Sequence, residues 1–369
     1  MPITRMLLKV EDIEMILNKA RGSATIGVDL GDKYSVCCVL DAKGAVLSEG
    51  RIRSTPESFA ELFGNVPSCR IAIEVGAHSR WVDQLLCSAG HRVIVANPRN
   101  LPMITQSIRK SDRVDAEMLA RLARVDEQLL SPVKHRAAAL YPDIAKLRAR
   151  DLLVRTRTRL VNAVLGITKA AGVRMRRFST ESFARQALPL MPEELRGALL
   201  PLLETVAHLS EQIDVFDREF QALCRKQYPE TSQLLQVKGV GPITALHFIL
   251  TVGDVRRFTK SRDIGPYLGL TPKRDQSGDT DRALGISKAG NRQLRVLLVQ
   301  CAHFVLGRFG EDSNLRRWGL KIAERGGKNA KKRAVTAVAR KLAVLLHHLW
   351  ANGDVYQPLH GMEPAIASA

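Results

Sequence analysis

The sequence predicts an N-terminal α/β domain with a mixed sheet, followed by long helices and a mostly helical C-terminal region. Short runs of Val, Ile and Leu fill residues 24–96, whereas apolar residues at helical spacing begin near residue 140. The 369 residues are 45% apolar and 25% charged, which excludes wholesale disorder and collagen-like repeats. A chain of this length has room for two or three domains with separate cores.

The N-terminal elements come in an order that defines the fold class. Residues 24–30, 34–40 and 45–49 are apolar runs, and a turn precedes the third, so they predict a β-meander. The elements predicted next are a helix over 56–64, a strand over 70–75, a helix near 79–89, a strand over 92–96 and a helix over about 113–125. Three strands followed by alternating helix and strand are typical of an α/β layout with a mixed sheet.

The pattern changes to long helices between about 140 and 226. Pro189, Pro192 and Pro201 interrupt the helical spacing, which predicts two helical arms and a connector. Residues 206–223 place apolar side chains at near-heptad steps, as in a coiled coil, and offer a surface for self-pairing of the chain. Residues 231–345 predict a third, mostly helical region, and the tail after residue 353 lacks periodicity and is expected to be flexible.

The basic charge is concentrated in two segments. The 56 Lys and Arg against 37 Asp and Glu leave a net charge of +19. Residues 251–350 carry +13 and residues 101–200 carry +9, whereas the rest of the chain carries a net −3. Such a concentration of positive charge is typical of proteins that bind a polyanion, and nucleic acid is the leading candidate for the partner. The alternative is a solvated basic face that only maintains solubility.

The sequence lacks the signals of a membrane or secreted protein. No uncharged apolar run approaches the roughly 20 residues that a bilayer helix needs. The first twenty residues carry Glu11, Asp12 and Glu14, where a signal peptide would be apolar. We therefore expect a cytoplasmic, nucleoid-associated protein without a membrane partner.

Four carboxylates follow the predicted elements in a pattern that indicates a metal site. Asp29 ends the first strand, Glu74 ends the fourth, and Asp112 and Asp115 stand three apart at the start of a helix. Carboxyl ends of strands converge on one edge of an open sheet, and an i, i+3 pair projects from one helix face. Hard divalent cations would hold such acids together, and two Mg²⁺ ions can clamp a phosphoryl transfer. Alternatively, the strand-end acids are coincidental and Asp112 caps a helix.

Ser277 lies in a basic segment that has several glycines. Gly and Pro residues predict a loop over 269–285. Three cations of this loop surround Ser277: Lys273, Arg274 and Arg282. The serine could attack a phosphate, although no histidine lies nearby in the sequence to act as its base. Spacing alone favours a serine that only binds phosphate, and Ser287 in SKAGN is a competing candidate.

Two further segments predict contacts to a nucleic-acid backbone. The KGVGP segment, with Lys238, Gly239 and Gly241, resembles a helix-hairpin-helix turn. The glycines of such a turn let backbone N–H groups approach a phosphate. A plain interhelical turn fits the segment nearly as well. A final helix carries cations opposite an apolar face, with a solvated face as the alternative. The predicted contacts in the C-terminal region are Lys288, Arg292, Lys328, Lys331, Lys332 and Arg333.

Over roughly residues 24–345 the chain resembles the insertion-sequence transposases of the one-ten family. The resemblance depends on the order of its features: the four acids, the long helices, GVGP, and SG followed by SKAGN. The resemblance implies a RuvC-like, RNase H-type DEDD domain and a serine transposase domain. It implies that Asp29, Glu74, Asp112 and Asp115 bind Mg²⁺, with Mn²⁺ as the alternative cation, and that Ser277 is the covalent nucleophile. It also implies donor and target DNA and a structured noncoding bridge RNA as partners.

The expected organisation has five segments: an N-terminal extension over 1–23, the RuvC-like domain over 24–135, a helical and coiled-coil region over 136–230, the serine transposase domain over 231–350 and a tail over 351–369. We expect a homodimer or homotetramer, because the long helices separate the acids from Ser277 within one chain. Two rival functions remain, a RuvC-like junction nuclease and a non-catalytic DNA-binding protein.

Overall fold

A computed structural model describes residue 16 and residues 24–98, 111–176, 178–277 and 280–360, although not the side chains of residues 277, 280 and 283. The predicted N-terminal extension therefore lies outside the described residues, apart from residue 16. The chain divides into two compact units, residues 1–135 and 136–369. The first contains a five-stranded sheet and the second is mostly helical, so the predicted combination of a mixed α/β region and a helical region is confirmed.

The sheet of the first unit has the strand order β3-β2-β1-β4-β5. Its strands are β1 (Thr25–Asp29), β2 (Tyr34–Leu40), β3 (Val46–Arg53), β4 (Arg70–Glu74) and β5 (Arg92–Ala96). The first three strands form antiparallel pairs, which confirms the predicted meander, and β4 and β5 run parallel to β1. The helices are α1 (Pro56–Phe63), α2 (Ser79–Ser88) and α3 (Asp112–Val125).

Each face of the sheet is covered by different helices, because side chains alternate along a strand. Ile26 and Val28 of β1 face a core that includes Phe59 of α1 and Val82 of α2. The opposite face packs against α3, with two small clusters that contain Ala72 and Cys38 and the apolar side chains of α3. The unit is therefore a three-layer arrangement of helices, sheet and helix.

Two long helices of the second unit pack as an antiparallel hairpin, α4 (Tyr141–Ala170) and α6 (Glu193–Lys226), with the short α5 (Phe183–Ala187) between them in sequence. Arg150 of α4 forms a bidentate ion pair with Asp217 of α6, at 2.7 and 3.0 Å. Seven residues further along α4, a guanidinium nitrogen of Arg157 donates to Ser210 Oγ at 3.1 Å. Steps of seven on both helices fit the predicted heptad spacing.

The apolar stripe over 206–223 is covered within the chain. Val206, Ile213 and Phe220 are buried, and α6 packs against α4 and the C-terminal helices of the same unit. The stripe is therefore not the exposed self-pairing surface that the sequence predicts. Pro201 also differs from expectation, because it lies inside α6 and does not end it.

The remaining elements, apart from the exposed β6, share one core with the base of the helical hairpin. They are α7 (Thr231–Leu235), α8 (Pro242–Val252), α9 (Ile264–Tyr267), β6 (Pro272–Ser277), β7 (Thr280–Ile286), α10 (Arg292–Leu306), α11 (Asn314–Glu324) and α12 (Ala330–Asn352). The predicted loop over 269–285 is wrong, since β6 and β7 pair there as an antiparallel hairpin. Its exposed polar strands lack the alternating apolar residues on which the strand prediction depends.

The segment that follows α12 is held in place as far as His360, which differs from the predicted flexible tail. The backbone N–H of Tyr356 donates to Gln236 Oε1 at 2.8 Å, and that of Asn314 donates to the Pro358 carbonyl oxygen at 2.7 Å. Tyr356 also packs against the core. Residues 361–369 lie outside the described part of the chain.

Candidate functional site

Helix α3 lies across the sheet and runs against the direction of β1 and β4. Its C-terminal end reaches the beginning of β4, because a guanidinium nitrogen of Arg70 donates to the Ala123 carbonyl oxygen at 3.3 Å. Its N-terminal half lies over Gly27 of β1, where an added Cβ would be 2.0 Å from the Ala116 carbonyl oxygen. The first turn of α3 therefore lies at the edge of the sheet where β1 and β4 end, which we name the acidic edge.

Asp29 and Glu74 are neighbours at the acidic edge. They are the last residues of β1 and β4, which are adjacent, parallel and in register up to the residues just before them. Gly27 and Ala72 face α3. Because side chains alternate along a strand, Asp29 and Glu74, each two residues later, lie on the same face. Both are half-buried.

The first turn of α3 contributes the other two acids. Ser111 caps the helix, since its hydroxyl accepts a hydrogen bond from a backbone N–H of the first turn at 3.4 Å. Asp115 is buried, with 6% of its surface exposed, and directly precedes the Ala116 that contacts β1. Asp112 is exposed at the helix end. The helix dipole stabilises negative charge at both positions.

The acidic edge brings Asp29, Glu74 and Asp115 to one end and one face of the sheet, and leaves Asp112 at its solvent side. Carboxylate oxygens are the ligands that Mg²⁺ prefers, so the residues fit a hard divalent cation in chemistry and position. Among the described residues, however, no three His, Cys, Asp or Glu side chains form a group that could hold a metal ion. The acidic edge thus contains carboxylates that could bind a cation, but their side chains do not form a complete set of metal ligands in this structure.

Two thiols of β2 lie beside the end of β1 and are not nucleophiles. Burial raises the pKa of Cys37 and of Cys38 to about 12, and the negative charge of Glu49 also raises that of Cys38. A thiolate attacks far better than a thiol, and these thiols stay protonated at neutral pH. The chemistry available at this edge is therefore that of its carboxylates.

Ser277 is the last residue of β6 in the second unit, and its register partner is Thr280 of β7. Its side chain, like residues 278 and 279, is outside the described part. Three cations of the hairpin are exposed: Lys273, Arg274 and Arg282. Two exposed acids lie among these cations, Asp275 opposite Arg282 and Asp281 opposite Gln276. The described part of the hairpin therefore presents a solvent-accessible surface on which cations and acids alternate near Ser277.

A buried arginine fastens the two ends of the β6–β7 hairpin together. A guanidinium nitrogen of Arg295 donates to the carbonyl oxygens of Leu268 and Ala289, at 2.8 and 2.5 Å. Gly269 has φ +66°, and an added Cβ there would be 2.2 Å from the Ala289 nitrogen. Residue type alone does not distinguish Arg295 from the exposed arginines nearby, so its role could not be predicted from the sequence.

The SKAGN segment leads from the hairpin into α10. Lys288 is exposed and has φ +56°, a conformation that non-glycine residues rarely adopt. Asn291 caps α10 by accepting a hydrogen bond from the Leu294 N–H at 3.0 Å, and its amide donates to Thr251 Oγ1 at 3.3 Å. Arg292 follows and is exposed. Both predicted cations of this segment are thus accessible, and their contact with nucleic acid stays a prediction.

The GVGP segment is a turn between α7 and α8, as predicted. Gly239 has φ +93°, and an added Cβ would be 2.6 Å from the Phe304 ring, so the turn requires glycine. Gly241 is the N-cap of α8. Lys238 is exposed and pairs with Glu311 at 3.5 Å. The turn has the predicted form, and its binding to phosphate stays a prediction.

The final helix, α12, has the predicted basic and apolar faces. Lys331, Lys332 and Arg333 are exposed in its first turn, whereas Val338 and Leu342 are fully buried. Lys328 is also exposed and precedes the helix, which begins at Ala330.

Comparison with known families matches both halves of the chain. A DEDD transposase model of the IS110 type matches residues 26–170, the region of the acidic edge and α4. The model described as "Transposase IS116/IS110/IS902 family" matches residues 231–317, which include the GVGP turn, the hairpin and α10. The two matched regions follow the order expected from the sequence motifs.

Several transposases are similar over most of the chain. The transposase for insertion sequence element IS1111A of Coxiella burnetii is 27% identical over 90% of this chain and 91% of its own length. The transposase for insertion sequence element IS1328 of Yersinia enterocolitica is 29% identical, covering 90% and 98%. A pilin gene-inverting protein of Moraxella lacunata is 24% identical, covering 76% and 80%.

Among the described residues, no helix combines the length and apolar character needed to cross a membrane. The matches to both family models, together with relatives that are similar across nine-tenths of the chain, agree with the order of motifs along it. The chain therefore belongs to the IS116/IS110/IS902 family of insertion-sequence transposases.

Proposed function

We propose that this transposase cuts and rejoins DNA strands through a covalent bond between Ser277 and a DNA phosphate, with a divalent-metal site at the acidic edge. The observation that carries the proposal is the position of Asp29, Glu74 and Asp115 on one face and one end of the sheet. The strand order, three antiparallel strands joined to two parallel ones, supports an RNase H-like, RuvC-like domain over residues 24–135. Residues 231–350 form the proposed serine transposase domain.

Asp29, Glu74, Asp112 and Asp115 would hold Mg²⁺, or Mn²⁺ in its place. A bound divalent cation stabilises the negative charge that develops on phosphate oxygens during strand transfer. The helix dipole at the first turn of α3 opposes part of the repulsion between the acids when no cation is present. Small side-chain movements at the strand ends would complete the coordination set.

The serine step conserves the energy of the phosphodiester bond. Ser277 Oγ forms a bond to phosphorus while the bond from phosphorus to one sugar oxygen breaks, and the serine proton passes through a base to that oxygen. Attack by the hydroxyl of another strand reverses the step and releases Ser277. The exposed Lys273, Arg274 and Arg282 support the charge on the phosphate in both directions.

The partners that we propose are donor and target DNA and a structured noncoding bridge RNA. The net charge of +13 over residues 251–350 supports binding of more nucleic acid than one duplex at one site. Lys238, Gly239 and Gly241 at the GVGP turn are proposed contacts to the backbone. A homodimer or homotetramer acting in the cytoplasm at the nucleoid would let one subunit's serine work with another subunit's acids.

The rival proposal is a junction nuclease that uses water, for which the acids suffice and Ser277 is dispensable. The relative from Moraxella lacunata is named for inverting a pilin gene. Inversion of a DNA segment requires rejoining as well as cutting, and this favours strand transfer over hydrolysis for the present chain.

The test is recombination by purified variants whose acids are neutralised one at a time. Four substitutions should each abolish recombination and leave the fold intact, because each removes a ligand charge: Asp29→Asn, Glu74→Gln, Asp112→Asn and Asp115→Asn. Glu61→Gln, a change of an exposed acid on α1, is the matched control and should recombine normally. Full activity in EDTA, or in two of these acid variants, would contradict the metal site.

Sharing of the site between subunits has its own test. Ser277→Ala and Asp29→Asn proteins, each inactive alone, are mixed and assayed for recombination. Recovered activity would support subunits that share the two chemistries. If proven mixed oligomers do not recover recombination, Ser277 and the acids that work with it belong to the same chain.

A further inference from the structure

Two adjoining cavities follow α12 in the second unit. The larger of them, about 770 Å³, is lined by residues of α11, α12 and β7. It shares Arg262, Lys341 and Val344 with a cavity of about 590 Å³ towards the end of α12. We name the two together the α12 groove. It extends from Lys332 to His348, about 24 Å at 1.5 Å per residue.

The α12 groove is lined by cations without acids. Six lysines and arginines line it, and no described lining residue is Asp or Glu. Four of the cations are exposed residues of α12 itself: Lys332, Arg333, Arg340 and Lys341. A run of like charges along one groove repels itself unless an anion covers it, so the charge pattern favours an extended polyanion over a neutral or basic peptide.

The floor of the α12 groove is apolar. Leu284 of β7 is 50% exposed there, and Ile286, Trp318 and Ile322 line the same part. The ammonium group of Lys341 lies over the Trp318 ring, 4.5 Å from its centroid, so a base that stacks on this face takes the place of Lys341. An indole beside aliphatic side chains is a surface on which a flat aromatic ring can stack.

We propose that the α12 groove binds single-stranded nucleic acid, with phosphates on its cationic rim and bases on its apolar floor. A duplex keeps its bases stacked inside and would leave the apolar floor exposed to water, whereas a single strand can use both surfaces. Single-strand sites hold about four nucleotides or more, which suits the length of the groove. This inference rests on the proposed function in that nucleic acid is the substrate class.

Tryptophan emission provides a direct test of base stacking on the floor. An oligothymidylate of about 12 nucleotides should quench the emission of the full-length protein, because a base stacks near Trp318. The quench should persist in Trp81→Phe, whose tryptophan is in the first unit, and disappear in Trp318→Phe. A quench that survives in Trp318→Phe would overturn the stacking surface.

Two substitutions of exposed leucines test the floor without disturbing a core. Leu284→Asn should weaken binding of the oligothymidylate by about fivefold or more, in line with the loss of stacking contacts. Leu152→Asn changes a leucine that is 58% exposed on α4, outside the groove, and should bind normally. Equal binding by both variants would contradict the proposal.

The rim is tested by salt dependence. Lys332→Gln and Arg340→Gln should each lower the slope of log affinity against log salt by about 0.7 for a single strand. Arg225→Gln, an exposed cation of α6 outside the groove, should leave the slope unchanged. A blunt duplex of equal length that binds as tightly as the single strand, with the same loss in Leu284→Asn, would overturn the preference for single strands.

These binding measurements separate the inference from the proposed function. Ser277→Ala protein serves for all of them, because binding of an oligothymidylate requires no strand transfer. Comparison with an oligouridylate identifies whether DNA or RNA is preferred. A protein that recombines but fails to bind single strands in the groove contradicts this inference alone, whereas normal binding without recombination contradicts only the proposed function.

Discussion

The approach of α3 to β1 at Gly27 offers a way to move one wall of the acidic edge without changing any acid. In Gly27→Ala the new Cβ would lie 2.0 Å from the Ala116 carbonyl oxygen and 2.6 Å from the Ala120 nitrogen. Both neighbours are backbone atoms of a helix, which no rotamer change can displace. The whole first half of α3 must therefore move away from the sheet.

The size of the movement follows from these distances. Ordinary contact begins at 3.4 Å, so Ala116 must retreat by about 1.4 Å, the difference between 3.4 and 2.0 Å. Overpacking of a core in this way costs about 1–3 kcal/mol of unfolding free energy. Asp115, the residue before Ala116, moves with the helix away from Asp29 and Glu74. A misplacement of about 1 Å in a reacting group can lower a rate by about 100-fold.

The assay measures stability and recombination in the same variants. Trp318→Phe and Trp350→Phe leave Trp81 as the single tryptophan, so urea unfolding followed by its emission reports on the first unit. Gly76→Ala is the matched control, because nothing lies within 4 Å of a Cβ added there. It should unfold and recombine normally. A Gly27→Ala protein that keeps both its stability and its activity would refute the packing argument.

Three further predictions concern stability and thiol reactivity. In urea denaturation, Arg150→Gln should lower the unfolding free energy by about 1–3 kcal/mol, because it leaves Asp217 without its bidentate partner. The control Arg155→Gln removes an exposed i, i+4 pair and should change the unfolding free energy by less than about 0.5 kcal/mol. Burial lowers the pKa of His247 below 6.5, so the folded protein binds fewer protons than the unfolded chain. Unfolding free energy, measured across a pH series, should decline as the pH falls below 6.5, and decline less in His247→Gln. Titration with a thiol reagent should modify only Cys87 in the folded protein, since the other five cysteines are buried, and all six after unfolding.

The sheet of the first unit was predictable because its pattern is local. Each strand is a short apolar run between turn residues, and the helices between the strands have amphipathic spacing. The predicted strand over 70–75 and the observed Arg70–Glu74 differ by one residue, and that over 92–96 agrees at both ends. The strand ends that place Asp29 and Glu74 could therefore be located from sequence.

Tertiary packing explains the elements that the sequence did not predict. Pro201 would end an isolated helix, but Leu199 and Leu203 on either side of it are buried against α4 and α5, and this burial maintains α6. The β6–β7 hairpin lacks an alternating apolar pattern, and the buried Arg295 fastens its ends. The tail is held by hydrogen bonds to residues far away in sequence, of which Gln236 is one.

The candidate site was predictable in its parts and not in its assembly. The order of Asp29, Glu74, Asp112 and Asp115 along the elements indicated a common edge, and the backbone brings three of them there. The rotamers of the acids at that edge decide which side chains can bind a cation. The spacing of residues in the sequence does not determine these rotamers. The α12 groove likewise needs residues from β7, α11 and α12, which no linear motif joins.

The most direct measurement for the central claim is recovery of a DNA–protein adduct from a reaction stopped by denaturation, followed by proteolysis and mapping of the modified residue. We expect one phosphodiester-linked peptide, modified at Ser277, in the wild-type reaction. We expect no adduct in Ser277→Ala, and an adduct in Gly76→Ala. Cleavage and rejoining of DNA by Ser277→Ala, or an adduct that maps to Ser287, would contradict the account.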